Sequence, residues 1–331
     1  MSEPVLRDSY GRTIGDLRIS ITDRCNFRCT YCIPEENFQA KPRSEILSYE
    51  EILRLTRIFA SFGIRKLRVT GGEPLLRPDL VPFVASLAAI PGVEDLSITT
   101  NGKFLPKFAG PLRRAGIQRI NISLDSLRPE RFFFMTRRNA LEDVLQGIEA
   151  AAESGFHPVK INAVVIRGVN DDEIGDFARF AQRTGHTVRF IEFMPLDSGH
   201  HWSMEQVVPG REILERLRNE MELVPLTPRS DSETASRWGF ASGAGEIGII
   251  APVTAPFCGN CNRIRLTADG QLRTCLFSMS EHDLKTPMRE GETDSEIAAR
   301  ISGAVWRKEA GHRINQADFV QPERTMSCIG G

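Results

Sequence analysis

Residues 17–32 read LRISITDRCNFRCTYC and place a short β-rich run directly before three cysteines. Residues 17–21 are predicted to form a buried strand, because apolar and β-branched residues dominate the run. The cysteines that follow have the spacing C-x3-C-x2-C and are named here the first triplet (Cys25, Cys29 and Cys32). A loop after a parallel strand opens at the carboxyl edge of the sheet, where the active sites of βα folds collect. The segment therefore predicts a βα fold with a thiol-lined site at that edge.

Five further β-rich runs alternate with amphipathic segments along the first two-thirds of the chain. They cover residues 67–70, 96–99, 119–124, 159–166 and 188–193. Their Val, Ile and Leu content is typical of parallel strands that are buried on both faces. Ser48 with Glu51 forms a capping box for the first intervening helix, and Asp79 and Asn139 are predicted to cap two later ones. Right-handed crossovers would wind these six units into an α/β fold, a partial (β/α)6 barrel similar to a TIM barrel.

Three more of the seven cysteines lie near the C-terminus. They are named here the second triplet (Cys258, Cys261 and Cys275) and have the spacing C-x2-C-x13-C. Asp269-Gly270 is a two-residue turn signal between β-rich runs, and it predicts that Cys275 lies opposite Ile264 and returns to Cys261. The seventh cysteine, Cys328, stands alone and is expected to be a plain thiol.

Each triplet contains three thiols, and that number limits which metal groups it could bind. Disulfide frameworks are typical of short secreted chains, whereas clustered thiols in a reducing compartment bind metal. Structural zinc normally takes four ligands, and no histidine lies close in sequence to either triplet. A [4Fe–4S] cube held by three thiolates keeps one iron open for another ligand. The pattern therefore favours two such cubes and leaves structural zinc as the alternative.

The composition excludes several classes of protein. The 331 residues are 41% hydrophobic and 26% charged, which excludes disordered, fibrous and collagen-like chains. The net charge of −1 predicts neither a broad nucleic-acid surface nor an anionic-membrane surface. No uninterrupted apolar run approaches the length of a membrane span, and the charged start of the chain lacks the apolar centre of a secretory signal. A cytoplasmic location is therefore expected.

Two motifs together resemble the radical S-adenosylmethionine (SAM) superfamily. TDRCNFRCTYC is similar to its cluster-binding loop, and Gly71-Gly72-Glu73-Pro74, at the end of the second predicted strand, is similar to its GGEP motif. The resemblance implies that the first triplet holds a [4Fe–4S] cluster whose open iron chelates the amino and carboxylate groups of SAM. It also implies SAM contacts for Tyr31, Gly72, Glu73, Ser123 and Met194.

The second triplet narrows the resemblance to one family. FCGNCNRIRLTADGQLRTCLF (257–277), RFIEFMP (189–195) and the terminal Gly330-Gly331 resemble the GTP 3′,8-cyclases of molybdenum cofactor biosynthesis, and the likeness runs from Leu17 to Gly331. This family is a group of lyases in which a 5′-deoxyadenosyl radical takes the hydrogen from C3′ of GTP. The C3′ radical then attacks C8 of guanine and gives 3′,8-cyclo-7,8-dihydro-GTP. The resemblance implies that a second [4Fe–4S] cluster, on the second triplet, contacts the guanine.

The same resemblance assigns GTP binding to six cations and one hydroxyl. They are Arg18, Arg68, Thr99, Lys160, Arg189, Arg263 and Arg265, of which the last two also support catalysis. Four of the cations lie on predicted strands, where a solvated charge is unexpected, and the other two alternate just after Cys261. Arginine suits phosphate because its fork binds two oxygens. For any single one of these cations, an outward-facing side chain is the alternative.

Two domains are predicted: a radical SAM core over residues 9–228, and an α+β domain over residues 229–331 that carries the second cluster. The Gly330-Gly331 tail is expected to reach the active site. The expected partners are a low-potential electron donor of the flavodoxin or ferredoxin type and a downstream cyclic pyranopterin monophosphate synthase, and a homodimer is compatible with the resemblance. Two other functions stay open: a radical SAM enzyme acting on a peptide or another nucleotide, and a non-enzymatic, zinc-stabilised interaction module.

Overall fold

The computed structural model describes residues 5–33, 38–197 and 201–330. Its strands are β1 (Asp16–Ser20), β2 (Lys66–Thr70), β3 (Asp95–Thr100), β4 (Arg119–Ser123), β5 (Lys160–Val165), β6 (Thr187–Glu192), β7 (Leu223–Leu226), β8 (Ser236–Phe240), β9 (Glu246–Ile250), β10 (Arg263–Leu266), β11 (Gln271–Arg273) and β12 (His282–Asp283). Its α-helices are α1 (Tyr49–Ser61), α2 (Leu80–Ala88), α3 (Leu105–Arg114), α4 (Pro129–Thr136), α5 (Leu141–Glu153), α6 (Ile174–Thr184), α7 (Gly210–Glu220), α8 (Lys285–Arg289), α9 (Asp294–Trp306) and α10 (Met326–Ile329). None of the helices in these ranges is both long enough and apolar enough to cross a membrane.

One sheet joins these strands in the order β12-β11-β10-β1-β2-β3-β4-β5-β6-β9-β8-β7. The run from β1 to β6 is parallel and confirms the partial (β/α)6 barrel. Strands β10 and β9 come from the C-terminal third, and they continue the parallel sheet beside β1 and β6. The C-terminal part of the chain therefore flanks the core on both edges. The predicted division at residues 228 and 229 stays a prediction.

The sheet and its helices enclose an apolar core. Ile19, Val69, Ile98 and Ile122 lie on four neighbouring strands and are fully buried. On α1 the buried positions recur at helical spacing, from Ile52 through Leu55 to Phe59, which is the pattern of a helix that covers one face of a sheet. The opposite face of these strands therefore carries the polar residues that the next section describes.

Of the three predicted caps, the first is confirmed, the second occupies its predicted N-cap position without a side-chain hydrogen bond, and the third lies one residue too early. Ser48 Oγ accepts a hydrogen bond from the backbone N–H of Glu51, and the Glu51 carboxylate accepts one from the backbone N–H of Ser48, as the capping box predicts. Asp79 instead adopts a left-handed backbone with φ of 57° and makes no side-chain cap; a short polar side chain tolerates that conformation. Helix α5 begins after Ala140 rather than Asn139, without a side-chain cap.

The hairpin between β10 and β11 differs from its prediction by one residue. Its loop has three residues instead of two, because Thr267 donates to the carbonyl of Gln271 over 2.9 Å. Gly270 takes the left-handed conformation (φ 83°) that such a loop requires. The strands pair Arg265 with Arg273, so Ile264 does not lie opposite Cys275 as predicted. The hairpin nevertheless returns the chain toward the second triplet.

Candidate functional site

The loop that carries the first triplet is held in place by α4. The backbone N–H groups of Arg28 and Thr30 donate to carbonyls at the end of α4, over 3.0 and 2.9 Å. Phe27, which is 3% exposed, packs edge-on against Phe132 of the same helix. The loop is therefore a supported part of the fold at the carboxyl edge of β1, where the sequence predicts it.

The three thiols of the first triplet are free, half-buried and close enough to influence one another. Burial, followed by the charge of Glu73, raises the pKa of Cys25 to about 11. Burial and neighbouring thiols raise the pKa of Cys29, and burial followed by Cys25 raises that of Cys32 to about 12. Three mutually repelling thiolates need a positively charged group between them, and the core of an iron–sulfur cluster is such a group. The donor set therefore fits the predicted cluster.

No three His, Cys, Asp or Glu side chains of the described residues are arranged to hold a single metal ion. A [4Fe–4S] cube does not need three ligands that converge on one metal ion, because each of its thiolates binds a different iron.

The Gly71-Gly72 turn joins the end of β2 to the loop of the first triplet. The N–H of Gly72 donates to the carbonyl of Thr22 over 2.7 Å. A Cβ atom at Gly72 would lie 2.4 Å from the carbonyl oxygen of Arg24, and one at Gly71, where φ is 152°, would lie 2.5 Å from that of Thr22. Both glycines are thus required by the close approach of two chain segments.

Glu73 is fully buried beside this turn, and its carboxylate is already hydrogen-bonded within the chain. It accepts from the Thr100 hydroxyl and from the backbone N–H groups of Asn101 and Leu75, at 2.7 to 3.0 Å. Burial outweighs these donors and raises the pKa of Glu73 to about 7. The carboxylate therefore ties β2 and β3 together directly behind the first triplet.

The other residues predicted to bind SAM lie along the same edge. The Tyr31 hydroxyl donates to Asp125 over 2.6 Å, and burial raises the pKa of Asp125 to about 6. Ser123 is the last residue of β4, and Met194 follows the end of β6. Met194 also lines the cavity described next. Asp125 is absent from the predicted site, although it follows a predicted strand end, where such residues collect.

A cavity of about 440 Å³ lies beside the inner face of the barrel. It brings together all seven residues predicted to bind GTP, which are Arg18, Arg68, Thr99, Lys160, Arg189, Arg263 and Arg265. All three cysteines of the second triplet also line it. The described part of its wall holds nine Lys or Arg residues and three Asp or Glu residues. A cavity with that excess of cations suits an anionic ligand.

Three of the arginines lie side by side on adjacent strands. The sheet register places Arg18 of β1 between Arg265 of β10 and Arg68 of β2. Burial, followed by the charge of Arg265, lowers the pKa of Arg18 well below its usual range, and burial followed by Arg263 lowers that of Arg265 to about 10. The Nε atoms of Arg18 and Arg68 and the hydroxyl of Thr99 are buried without a hydrogen-bond partner among the described residues. Buried donors of this kind are normally satisfied, so the row is incomplete without a ligand.

The far wall of the cavity carries Lys160 and Arg189. Arg189 donates to Asn162 over 2.9 Å and to Asn121 over 2.6 Å, so its side chain is fixed by two amides rather than by a carboxylate. Burial, followed by the charge of Arg189, lowers the pKa of Lys160 to about 7. These groups repel one another in the free protein, and a polyanion would offset that repulsion.

The sequence analysis misses several residues of this wall. They include Lys66, Arg119 and Arg229. Lys66 could have been found, because it alternates with Arg68 along β2 and therefore faces the same side. Arg119 is paired with Asp95 through a 2.9 Å hydrogen bond, which balances its charge. Arg229 lies in the loop between β7 and β8, where no spacing rule applies.

The second triplet has a more positive environment than the first. Arg263 Nη2 lies 3.6 Å from the sulfur of Cys261. Burial raises the pKa of this thiol, but the charges of Arg263 and Lys308 outweigh it and lower the pKa of Cys261 to about 7. Burial prevails at Cys275 and raises its pKa. Three thiols with a cation beside them suit a negatively charged cluster, and they face the same cavity as the arginine row.

The C-terminal tail reaches both sets of predicted residues. Arg265 donates a hydrogen bond to the carbonyl of Gly330, and a Cβ atom at Gly330 would lie 2.8 Å from Thr70 at the end of β2. Ser327 of α10 donates hydrogen bonds to Cys32 of the first triplet. Gly330 therefore lies between the arginine row and the strand ends, while Gly331 lies outside the described residues.

Two family models match the chain in succession. The model of the radical SAM superfamily matches residues 19–181, and the model named Molybdenum Cofactor Synthesis C matches residues 186–314. The first match implies the use of SAM and of a [4Fe–4S] cluster. Together the two models span both triplets and most of the cavity wall.

Curated relatives are similar over nearly the whole chain. The GTP 3′,8-cyclase of Streptomyces coelicolor is 48% identical over 99% of this chain and 96% of its own length. Those of Rhodopirellula baltica and Thermodesulfovibrio yellowstonii are 46% and 45% identical, over 100% and 98% of this chain and 94% and 100% of theirs. Among solved structures, Streptococcus suis SuiB matches with a TM-score of 0.62 over 96% of this chain and 77% of its own, at 13% identity, which supports the fold alone. By the likeness of its sequence to the curated relatives, this chain belongs to the GTP 3′,8-cyclase family of the radical SAM superfamily.

Proposed function

We propose that this chain is a GTP 3′,8-cyclase, a lyase that converts GTP into 3′,8-cyclo-7,8-dihydro-GTP in molybdenum cofactor biosynthesis. The observation that carries the proposal is the arginine row beside the second triplet, in which the buried Nε atoms of Arg18 and Arg68 have no hydrogen-bond partner among the described residues. A nucleoside triphosphate supplies the missing acceptors through its phosphates, and the near-full-length likeness to GTP 3′,8-cyclases identifies the nucleotide class. Neither observation favours a peptide substrate.

The first triplet would hold the cluster that the superfamily uses. With SAM bound there, that cluster would supply the one-electron chemistry that yields a 5′-deoxyadenosyl radical, the proposed abstractor of the hydrogen at C3′ of GTP. Around this site, Asp125 holds Tyr31 in a fixed position beside the cysteine loop. Gly72 joins the end of β2 to the loop of the first triplet, and Glu73 ties β2 to β3 behind it. Ser123 and Met194 complete the proposed SAM contacts from the ends of β4 and β6.

The cations of the cavity would bind and orient GTP. Arg265 is buried and Arg18 and Arg68 are half-buried, so their hydrogen bonds to phosphate would form in a lower dielectric than that of water, where such bonds are stronger. Lys160 and Arg189 contribute charge from the opposite wall, and Thr99 offers a buried hydroxyl. This arrangement fixes the ribose relative to the first triplet and excludes water from a radical intermediate, which are the protein's main contributions in a cofactor-driven reaction.

The second triplet would hold a second [4Fe–4S] cluster whose open iron contacts the guanine. This second cluster is supported by the position of the second triplet (Cys258, Cys261 and Cys275) on the cavity wall, with Arg263 beside Cys261. Arg263 and Arg265 would support catalysis by stabilising the nucleotide, and Gly330 of the C-terminal tail accepts a hydrogen bond from Arg265 at the same site. The electron donor of the flavodoxin or ferredoxin type, the downstream cyclic pyranopterin monophosphate synthase, the homodimer and the cytoplasmic location stay predictions.

The test uses anaerobically reconstituted protein with SAM, a reductant and GTP that carries deuterium at C3′. Mass spectrometry should find deuterium in the 5′-deoxyadenosine and the mass of the cyclised nucleotide among the products. Unlabelled 5′-deoxyadenosine would mean that the protein cleaves SAM by radical chemistry, but it would refute abstraction of the hydrogen from C3′ of GTP. Protein with both clusters intact that forms no 5′-deoxyadenosine would refute the enzyme assignment. The matched control replaces the second triplet with alanine, which should retain a reducible cluster and lose GTP turnover.

A further inference from the structure

Two cysteines of the second triplet lie at the ends of one turn and the third follows β11, yet one short segment contacts the chain beside each of them. That segment is residues 308–311, which follow the end of α9. The Lys308 ammonium donates to the carbonyl of Arg263 over 3.2 Å and also to the carbonyl of Thr274. Arg263 lies two residues after Cys261, and Thr274 directly precedes Cys275. Lys308 therefore bridges the two strands of the hairpin at their cysteine ends.

The same segment reaches the remaining cysteine through Arg12. One Nη atom of Arg12 donates to the carbonyls of Cys258 and Ala310, each over 2.8 Å. Its other Nη atom donates to the carbonyl of Glu309, and its Nε atom pairs with the buried carboxylate of Asp8. The backbone at Cys258 is thus tied to the segment by a guanidinium that is itself held in place.

Close packing supports the same connection. A Cβ atom at Gly311 would lie 2.9 Å from Cβ of Cys258 and 3.2 Å from its sulfur. The Glu309 carboxylate accepts hydrogen bonds from the hydroxyls of Thr274 and Ser278 on either side of Cys275. Each cysteine of the triplet therefore has a neighbour that this segment contacts.

Lys308 also supplies charge. Its side chain is 3% exposed, and the hydrogen bonds of its ammonium go to neutral carbonyls. A buried ammonium without a carboxylate is costly unless another negative group compensates it. A [4Fe–4S] cube with three thiolates is negatively charged and would be that group. The argument rests on the proposed function, since it takes the second triplet to hold such a cluster.

We propose that residues 308–311 with Arg12 form a positioning segment for the second triplet, and that the buried Lys308 ammonium stabilises the cluster bound there and raises its reduction potential. Lys308 and Gly311 are positioning residues, because they act through the cysteines and their backbone. Partners of metal ligands commonly change metal retention by 10- to 100-fold when they are replaced.

The experiment uses the full chain, reconstituted anaerobically, with the first triplet replaced by alanine so that only the second cluster is observed. Lys308→Met should lose iron to a chelator about 10 to 100 times faster than the unsubstituted background. Its cluster should also titrate at a more negative potential, because the reduced form loses a stabilising charge. Lys308→Arg keeps the charge and should restore the potential. An unchanged rate of iron loss and an unchanged potential in Lys308→Met would overturn the proposal.

A glycine pair provides an independent comparison that does not depend on the lysine. Gly311→Ala should lower the iron content, because its Cβ displaces Cys258. Gly259→Ala is the matched control, since a Cβ there meets nothing within 4 Å although it adjoins the same cysteine. Equal iron content in the two variants would overturn the packing argument. A lower Tm in Lys308→Met with an unchanged cluster potential would overturn the assignment of charge.

Neither SAM nor GTP is present in these measurements. A failure of cyclase activity in a protein that retains its second cluster therefore counts against the proposed function alone.

Discussion

Lys160 is the residue whose ionisation should report most directly on phosphate binding in the cavity. Burial, followed by the charge of Arg189, lowers its pKa from 10.5 to about 7, so it is largely neutral at pH 8 in the free protein. A bound triphosphate compensates the arginines and makes the charged form favourable again. GTP binding at pH 8 should therefore take up about 0.9 proton at this one side chain.

The same pKa predicts an effect on stability in the absence of nucleotide. Lowering the pKa of Lys160 from 10.5 to about 7 corresponds to about 4–5 kcal/mol against the charged form in the folded protein. Between pH 7 and 10.5 the unfolded chain binds this proton more readily than the folded chain, so the free energy of unfolding rises with pH across that window. Below the window the penalty is complete. Lys160→Met should therefore raise the free energy of unfolding at pH 7, by up to about 4 kcal/mol.

Titration calorimetry in two buffers of different ionisation enthalpy measures the proton uptake. The unsubstituted protein should take up nearly one proton more than Lys160→Met, which has no group to titrate. Lys160→Arg should bind GTP without that uptake, because arginine stays charged. Denaturant unfolding between pH 6 and pH 10 gives the stability effect. Equal proton uptake by the unsubstituted protein and Lys160→Met, or a Lys160→Met variant less stable than its parent at pH 7, would refute the reasoning.

Three further expectations concern other parts of the site. Replacement of the first triplet by alanine should abolish 5′-deoxyadenosine formation, and its retention would place the SAM cluster elsewhere. Arg18→Met should weaken GTP binding by about 1.5–3 kcal/mol, the usual value of a charge-assisted hydrogen bond, as measured by calorimetry; an unchanged Kd would mean that this arginine does not contact the nucleotide. Gly72→Ala should lower the Tm because its Cβ would lie 2.4 Å from the carbonyl oxygen of Arg24, whereas Gly303→Ala on α9, where the nearest atom is 3.8 Å away, should not.

The six core strands and the helix α1 could be predicted because local pattern determines them. Continuous Val, Ile and Leu runs have few alternatives to a buried parallel strand, and the Ser48 capping box is a local hydrogen-bond pattern. The hairpin register could not be predicted to the residue, because one additional loop position at Ala268 is decided by the left-handed conformation of Gly270. Asp79 occupies its predicted N-cap position, but its left-handed backbone leaves it without a side-chain cap, and the N-cap of α5 is Ala140 rather than Asn139; residue type alone does not determine either detail.

In the site, too, the residues that could be predicted are those that a local sequence pattern marks. Cysteine spacing alone identifies both triplets, because it can be recognised in the sequence without knowledge of the fold. The cavity residues of the predicted strands are implied by the family resemblance and supported by their unexpected charge on buried strands, and Lys66, which alternates with Arg68, is absent from that predicted set. Arg229 and Asp125 lie in loops, and no periodicity indicates which way a loop side chain points. The contacts of Lys308 and Arg12 with the second triplet join positions separated by tens to hundreds of residues, so only the fold reveals them.

The order of strands explains how residues from opposite ends of the chain line one cavity. Strand β10 pairs in parallel with β1, so the two strands begin at the same edge of the sheet. The hairpin of β10 and β11 then returns the chain to Cys275 at that edge. The register then aligns Arg265 with Arg18, and two arginines from opposite ends of the chain become neighbours in one row. This contact does not stabilise Arg18 in the free protein, since the charge of Arg265 adds to burial in lowering the pKa of Arg18. A bound polyanion would compensate the repulsion between these arginines. This is the physical reason to propose that the triphosphate binds to that row rather than elsewhere in the cavity.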